Sequence, residues 1–279
     1  MKLYKVINST ADAEDFQKDI DKLYKWSLTN KLLLNVKKCS VITFSKSLSP
    51  QLFNYKIGNS ILNRVGEVRD LGVILQSTFD FTKHIDHVAE NSLRTLGFVT
   101  RNASMFNNIT AIRTLYLSLV RSPVLFASIA WRPYYDVHID RLEKIQNRFL
   151  RFLAYKANVN HDFYSHEYGM LRSHFRIQDL STRFLYSDLL FLYKTVNGIF
   201  ICPELLELIN FYIPSRNLRR VSGLFKLGYH RTEYGENSPI HRICKAANLL
   251  ANNNLDFFTT PMSKFVRNLK LAIFENNNV

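Results

Sequence analysis

Apolar residues recur at helical spacing near the start of the chain. Phe16, Ile20, Leu23 and Tyr24 fall three and four residues apart, with Trp26 and Leu28 close behind, which predicts a helix over 11–30. Ala11–Asp12–Ala13–Glu14–Asp15 loads acid into its first turn, where the helix dipole favours it. Asn30 is the expected exit residue in the left-handed region. The period then shortens. Leu32, Leu34 and Val36 alternate with Leu33, Asn35 and Lys37, and Val41–Ile42–Thr43–Phe44 is β-branched and aromatic, so short strands are expected. Residues 45–50 read as a polar loop. Residues 55–62 predict a hairpin turning at Gly58–Asn59, and 65–75 the last strand pair.

Past Phe81 the strand signal stops and amphipathic helices take over. Over 82–104, Ile85, Ala89, Leu93, Leu96 and Val99 point to a core, with His84, Val88, Asn91 and Arg94 on another side. Helices are also predicted at 109–121 (Ile112, Leu115, Tyr116, Leu119, Val120), at 136–155 (Leu142, Ile145, Phe149, Leu153) and at 175–197 (Ile177, Leu180, Phe184, Leu185, Leu189, Leu192). Pro123 and Pro133 punctuate the connections, and Pro203 sits just inside a short helix ending near Ile209. Asparagine-rich pieces at 252–254 and 276–278 read as polar, the latter as a fraying end. The fold class is α+β: a small sheet-bearing part at 1–80, then mostly helical parts at 81–156 and 157–279.

With 279 residues, 47% of them hydrophobic and only 9 glycines and 7 prolines, the chain can bury a real core. No apolar run reaches the roughly 18–20 residues a membrane span requires, and Met1–Lys2–Leu3–Tyr4–Lys5 leads into no signal-like apolar stretch. Cys39, Cys202 and Cys244 form no CxxC and read as buried small apolar residues in a reducing compartment. An intracellular location, cytoplasmic or nuclear, is the expectation. The net charge of +14 favours a polyanionic partner. It is densest at 81–156, with 11 basic and 5 acidic side chains, most of the basic ones arginine.

That segment holds the main candidate chemistry. Arg141, Lys144, Arg148 and Arg151 follow at three, four and three residues, a basic stripe on a helix about 30 Å long. Arginine there can fork onto phosphate oxygens. The competing reading is a solvated face paired to Asp140 and Glu143. Lys83, Arg94 and Arg101 on the helix predicted over 82–104 are further phosphate candidates. His84 with His87, and His161 with His166, lack the third ligand a zinc site needs, so no metal site is assigned. Lys37 and Lys38 sit near a strand edge. In Asp70–Leu71–Gly72–Val73, Gly72 permits a bend while Leu71 and Val73 pack. Two-metal nucleotidyl transfer needs converging carboxylates. No adjacent acidic pair flanked by apolar strand residues occurs, nor any G-x-S-x-G, P-loop, GxGxxG or HExxH.

A series of segments, in order, resembles the reverse transcriptases of non-LTR (LINE-type) retrotransposons, especially the jockey-like group. Lys2–Leu3–Tyr4–Lys5–Val6–Ile7 looks like the strand leaving that family's Asp-Asp turn. Leu23–Tyr24–Lys25–Trp26 through Cys39 looks like its fourth palm motif. Arg69–Asp70–Leu71–Gly72–Val73, then Phe79–Asp80–Phe81–Thr82–Lys83–His84–Ile85, looks like the fifth motif entering the thumb. Leu96–Gly97–Phe98–Val99 with Arg101, Leu115–Tyr116–Leu117–Ser118–Leu119–Val120, and Ala130–Trp131–Arg132–Pro133 fit the thumb. Leu142–Glu143–Lys144–Ile145–Gln146–Asn147–Arg148–Phe149 resembles the thumb-to-linker signature. Phe191–Leu192–Tyr193–Lys194–Thr195–Val196–Asn197–Gly198 and Ser238–Pro239–Ile240–His241–Arg242 are similar to the C-terminal region.

The resemblance implies the end of a palm, a helical thumb and a helical linker, without the fingers, the first palm motifs or the metal-binding Asp pair. It implies RNA template and DNA primer, or their hybrid, as partners, with the N-terminal part of the polymerase as a further one. Asp70, Leu71 and Gly72 would form the primer-positioning hairpin. Of Lys37 and Lys38, Lys38 is favoured for the basic group near the departing pyrophosphate. Mg²⁺ is expected only for a complete enzyme, and the chain alone is expected to lack polymerase activity. A non-catalytic nucleic-acid-binding module and a helical interaction protein are the alternatives.

Overall fold

The computed structural model describes residues 1–47, 49–159, 168–213, 223–250 and 255–275. It is 59% helical with few short strands, compatible with an α+β mix. The chain divides into two compact units, Met1–His84 and Ile85–Val279.

In the first unit, α1 (Thr10–Thr29) starts at a capping box. The Asp12 N–H donates to Ser9 Oγ at 3.2 Å, and the Ser9 N–H donates back to the Asp12 carboxylate at 2.8 Å. Asn30 caps the far end at φ −89°, so it is Lys31, at φ 56°, that turns left-handed, not Asn30 as expected. Ala13, Phe16, Ile20 and Tyr24 pack on Tyr55 and Ile57. The hairpin of β2 (Lys56–Ile57) and β3 (Ser60–Ile61) turns at Gly58–Asn59. Gly58 is required twice over: its φ is 57°, and a Cβ there would come within 3.0 Å of the Tyr24 ring. The Gln17 amide pairs with both the N–H and the C=O of Lys56, each at 2.9 Å, and so occupies backbone groups of β2 that its strand partner leaves free.

The remaining strand expectations are corrected. Residues 2–7 form no strand; their lysines pair with side chains instead, Lys2 with Asp70 and Lys5 with Asp15. Residues 32–36 form none either. The left-handed Lys31 redirects the chain, Leu32 and Leu33 stay exposed, and a single 3₁₀ turn follows at Val36–Lys38. The strand at 41–44 shrinks to β1 (Ser40–Val41), which lies parallel to β4 (Asn63–Arg64). β5 (Glu67–Asp70) and β6 (Val73–Gln76) pair antiparallel. Among the described residues the strands form three separate two-stranded ladders, not one sheet.

In the second unit, α2 (Thr82–Asn102, entering from the first unit) buries Ile85, Val88, Ala89, Ser92, Leu96 and Val99. Val88 therefore belongs to the core and Leu93 to the surface, the reverse of the expectation; His84, at the end of the first unit, is also buried. α3 (Ile109–Leu115) continues through a π segment, Tyr116–Arg121, into α4 (Ser122–Leu125). Pro123 interrupts nothing there. It lacks an N–H and its ring conflicts with the carbonyl four residues back, and the wider turns before it absorb both. The same change of period leaves Leu119 exposed while Ile112, Tyr116 and Val120 are buried.

α5 (Ser128–Trp131), α6 (Asp136–Lys156), α7 (Tyr168–Phe175) and α8 (Leu180–Val196) follow. Beyond them come α9 (Pro203–Glu207), α10 (Glu233–Glu236), α11 (Pro239–Leu250) and α12 (Met262–Lys270). The predicted helix over 175–197 is two elements, because Ile177 is buried in the connection and Asp179 caps α8 by accepting the Thr182 N–H at 2.6 Å. α8 is the hub, packing on α5, α6, α9, α11 and α12. Leu189, Leu192 and Tyr193 join Ile243, Cys244 and Ala247 of α11, Phe265 and Leu269 of α12, and Phe225 and Phe257. Of the cysteines only Cys244 is buried, and burial pushes its thiol up to about 11. Cys39 and Cys202 are half-buried. Each lies within reach of an oxygen, Asn35 O and a Glu204 carboxylate oxygen respectively, which keeps them near polar surface.

Two buried polar networks fix these helices. Asp188 of α8, 1% exposed, accepts from Arg132 at 2.7 Å and from Arg242 at 3.1 and 3.2 Å. Arg242 also donates to Ile129 O at 3.0 Å. Glu143 of α6 points inward, not along the basic stripe. It accepts from Arg172 at 3.1 Å and from the Leu180 N–H. Burial raises its carboxyl above the ordinary value despite the Arg172 charge. Gln146 ties Tyr116 Oη, at 3.1 Å, to Gln178 O, at 3.0 Å. Replacing Asp188 by alanine leaves two guanidinium groups facing a buried void, and the expected loss is about 3–5 kcal/mol of unfolding free energy in urea. A loss under about 1 kcal/mol would show that water relieves the two arginines.

Candidate nucleic-acid interface

α6 exposes Arg141, Lys144, Arg148 and Arg151 along one stripe and buries Leu142, Ile145, Phe149 and Leu153 on the other side. Arg141 pairs with Asp86 of α2, across helices; neither Asp140 nor Glu143 is its partner. The charged ends of Lys144, Arg148 and Arg151 meet no partner among the described residues. Four residues past Arg151 the stripe ends on Tyr155, 72% exposed.

α2 carries a matching stripe. Arg94 and Arg101 are two turns apart with exposed Phe98 between them. Arg94 has only a loose contact with Glu90, at 3.8 Å, and Arg101 has no partner among the described residues. The two helices run parallel. Asp86 near the start of α2 meets Arg141 near the start of α6, and Ser104, just past α2, accepts from Lys156 at the end of α6 at 2.6 Å. Each stripe lies opposite its helix's buried face. Cations interleaved with exposed aromatics along about 20 Å of α6 suit a polyanion with stackable bases.

The sequence reading missed Asp86, Lys156, Phe98 and Tyr155. The first two act across helices, which no spacing within one helix reveals. The aromatics carried a signal, their i, i+4 relation to Arg94 and Arg151, that went unread.

The other candidates lie elsewhere. Lys83 belongs to the first unit, where it pairs with Glu67. Lys38 is exposed in the 3₁₀ turn and has no partner among the described residues, and Lys37 is exposed beside it. His84 accepts the Ile74 N–H at 3.3 Å, within the first unit, while His87 lies 2.9 Å from the Asn91 amide. Among the described residues no group of three or more His, Cys, Asp or Glu side chains gathers where a metal ion could be held. His161 and His166 lie outside the described residues, as do the asparagine-rich pieces. Among the described residues no helix is long and apolar enough to cross a membrane.

The Asp70–Val73 turn joins β5 to β6. Leu71 does not pack, in contrast to Val73, which is buried. It stands at the tip, 83% exposed, with φ 45°, and Gly72 follows at φ 91°. Two consecutive positive φ values suit the right-handed twist of the flanking strands and are rare for leucine. Asp70 is held by Lys2. No family model, curated protein or solved structure matches this chain.

Leu71→Asn turns the tip into Asn-Gly, which tolerates this geometry. It should stabilise the first unit by about 0.5–1 kcal/mol in urea unfolding. A loss of stability would mean that the leucine side chain makes compensating contacts in the folded protein.

Proposed function

We propose that this chain is the part of a non-LTR retrotransposon reverse transcriptase that follows the catalytic Asp pair, comprising the end of the palm, the thumb and the linker. Its work is to grip template RNA and primer DNA. The observation that carries this reading is the pair of parallel cation–aromatic stripes: Arg94, Phe98 and Arg101 on α2, and Lys144, Arg148, Arg151 and Tyr155 on α6. Free guanidinium and ammonium groups along two adjacent helices follow a phosphate backbone without reading bases, which suits a hybrid recognised by shape. The exposed, strained Leu71–Gly72 tip is the element that would meet the primer end, positioning it without chemistry. Lys38 is free to serve a departing pyrophosphate in a complete enzyme, where Mg²⁺ would be held by carboxylates outside these residues. A helical protein with an acidic protein partner is the second reading, favoured by the same stripes if the hybrid is not their ligand.

Binding of a short RNA–DNA hybrid to the wild type and to a triple variant, Lys144→Glu, Arg148→Glu and Arg151→Glu, separates them. The variant should lose at least about tenfold in affinity, and its salt slope should shrink by about 2–3. Unchanged hybrid binding would leave the stripe a solvated face or a protein-docking face. Primer extension by this chain alone should give no Mg²⁺-dependent product. Synthesis would place an acidic metal site within these residues and overturn the non-catalytic assignment.

A further inference from the structure

The turn that ends α1 carries an apolar tip on the first unit. The Lys31 N–H donates to Leu28 O at 3.1 Å and the Leu32 N–H to Ser27 O at 2.9 Å, a reversal centred on the left-handed Lys31. These two bonds fold Leu32 back to the level of Ser27, the residue after Trp26. Ser27 is buried, whereas Trp26 is 54% exposed, Leu32 59% and Leu33 79%. Leu34 returns to the core of the unit, where it packs with Phe16, Tyr24 and Tyr55. The excursion is therefore short and held at both ends, so its apolar side chains are displayed by a fixed turn.

The charge along this segment is lysine alone. From Lys22 to Lys38 the sequence holds five lysines and no aspartate, glutamate or arginine. Lys25, Lys31 and Lys37 are exposed and meet no carboxylate among the described residues. The chemistry differs from that of α6. A nucleic-acid seat uses arginine forks and stacked aromatics, and here the cations are lysines and two of the three displayed apolar side chains are aliphatic. Protein interfaces are depleted of lysine at their centres. Leucines that stand out from the surface, one tryptophan with them and flexible lysine stems alongside suit the boundary between lipid headgroups and acyl chains.

We propose that this tip docks on an anionic lipid surface. Leu32 and Leu33 enter among the acyl chains, Trp26 lies at headgroup level, and Lys25, Lys31 and Lys37 meet acidic headgroups. The lysines find in the lipid the negative charge that their own segment lacks. The docking is peripheral and reversible, since the buried apolar area is that of a few side chains. The inference does not rest on the polymerase reading, and it uses no residue of the α2 and α6 stripes.

The chain carries its own reporter. Of its two tryptophans Trp131 is buried, so a change in emission on binding reads Trp26. The full chain is titrated with vesicles of phosphatidylcholine alone and of phosphatidylcholine mixed with phosphatidylserine, and binding is followed by sedimentation and by tryptophan emission. Vesicles containing phosphatidylserine should bind the wild type and move its emission to shorter wavelength, and neutral vesicles should do so far more weakly. A Leu32→Ser, Leu33→Ser variant should bind the anionic vesicles about tenfold more weakly. Both positions are exposed, so its urea midpoint should match the wild type and exclude misfolding as the cause. The Lys144→Glu, Arg148→Glu, Arg151→Glu variant separates general surface charge from the tip: it should keep the emission shift on anionic vesicles. Equal vesicle binding by the wild type and the double serine variant, no emission shift on anionic vesicles, or equal binding to neutral ones would overturn the proposal. An emission change with an RNA–DNA hybrid and none with vesicles would overturn it in favour of nucleic acid at the tip.

Discussion

A single buried carboxylate, Asp188, holds the helical unit in its arrangement. It projects from α8, the helix on which most of the others pack, and draws in Arg132 from the end of α5 and Arg242 from α11. Those arginines belong to segments far apart in the chain, so their meeting fixes where each segment docks. A buried ion pair contributes less to net stability than its Coulomb attraction suggests, because desolvation opposes it. Its stronger effect is to exclude other registers of α5 and α11 against α8, since any slip would strand a buried charge.

The same logic sets the orientation of α6. Glu143 and Gln146 turn inward to Arg172, the Leu180 N–H, Gln178 O and Tyr116, and Asn147 accepts from Arg172. With those groups satisfied, the helix cannot rotate without breaking several buried hydrogen bonds. Arg141, Lys144, Arg148 and Arg151 are thereby held outward. The polar interior of α6 is what makes its cationic exterior a defined surface, and the Arg141–Asp86 and Lys156–Ser104 contacts set α2 beside it.

The first unit is organised differently. Its core is a small set of side chains on α1 and one hairpin, and its strands pair only in twos. A side chain takes up ladder groups where Gln17 pairs with the backbone of Lys56, and Lys2 reaches the Asp70 side chain. The exposed leucine at the left-handed tip of the last hairpin is the position where local preference and structure disagree most openly. Such disagreement is commonly retained where a residue serves contact with a ligand.

Much of the helical framework was legible in the order of residues alone. Helical spacing marked α1, α2, α6 and α8 because each buries one face, and burial of a face imposes a period. The Gly58–Asn59 turn was legible because glycine there meets a requirement local to four residues. The strands were not: Leu32–Val36 alternates, yet alternation specifies a strand only when a partner and a face exist to receive it. Val88 and Leu93 exchanged places because both lie near the edge of an apolar arc, where the neighbouring helix decides which is covered. The basic stripe on α6 could be read from spacing within one helix. Its contact with α2 through Asp86, the inward turn of Glu143 and the meeting of Arg132 and Arg242 on Asp188 could not. Those are relations between segments distant in sequence, and they arise only when packing brings charges close enough for water to be excluded from between them.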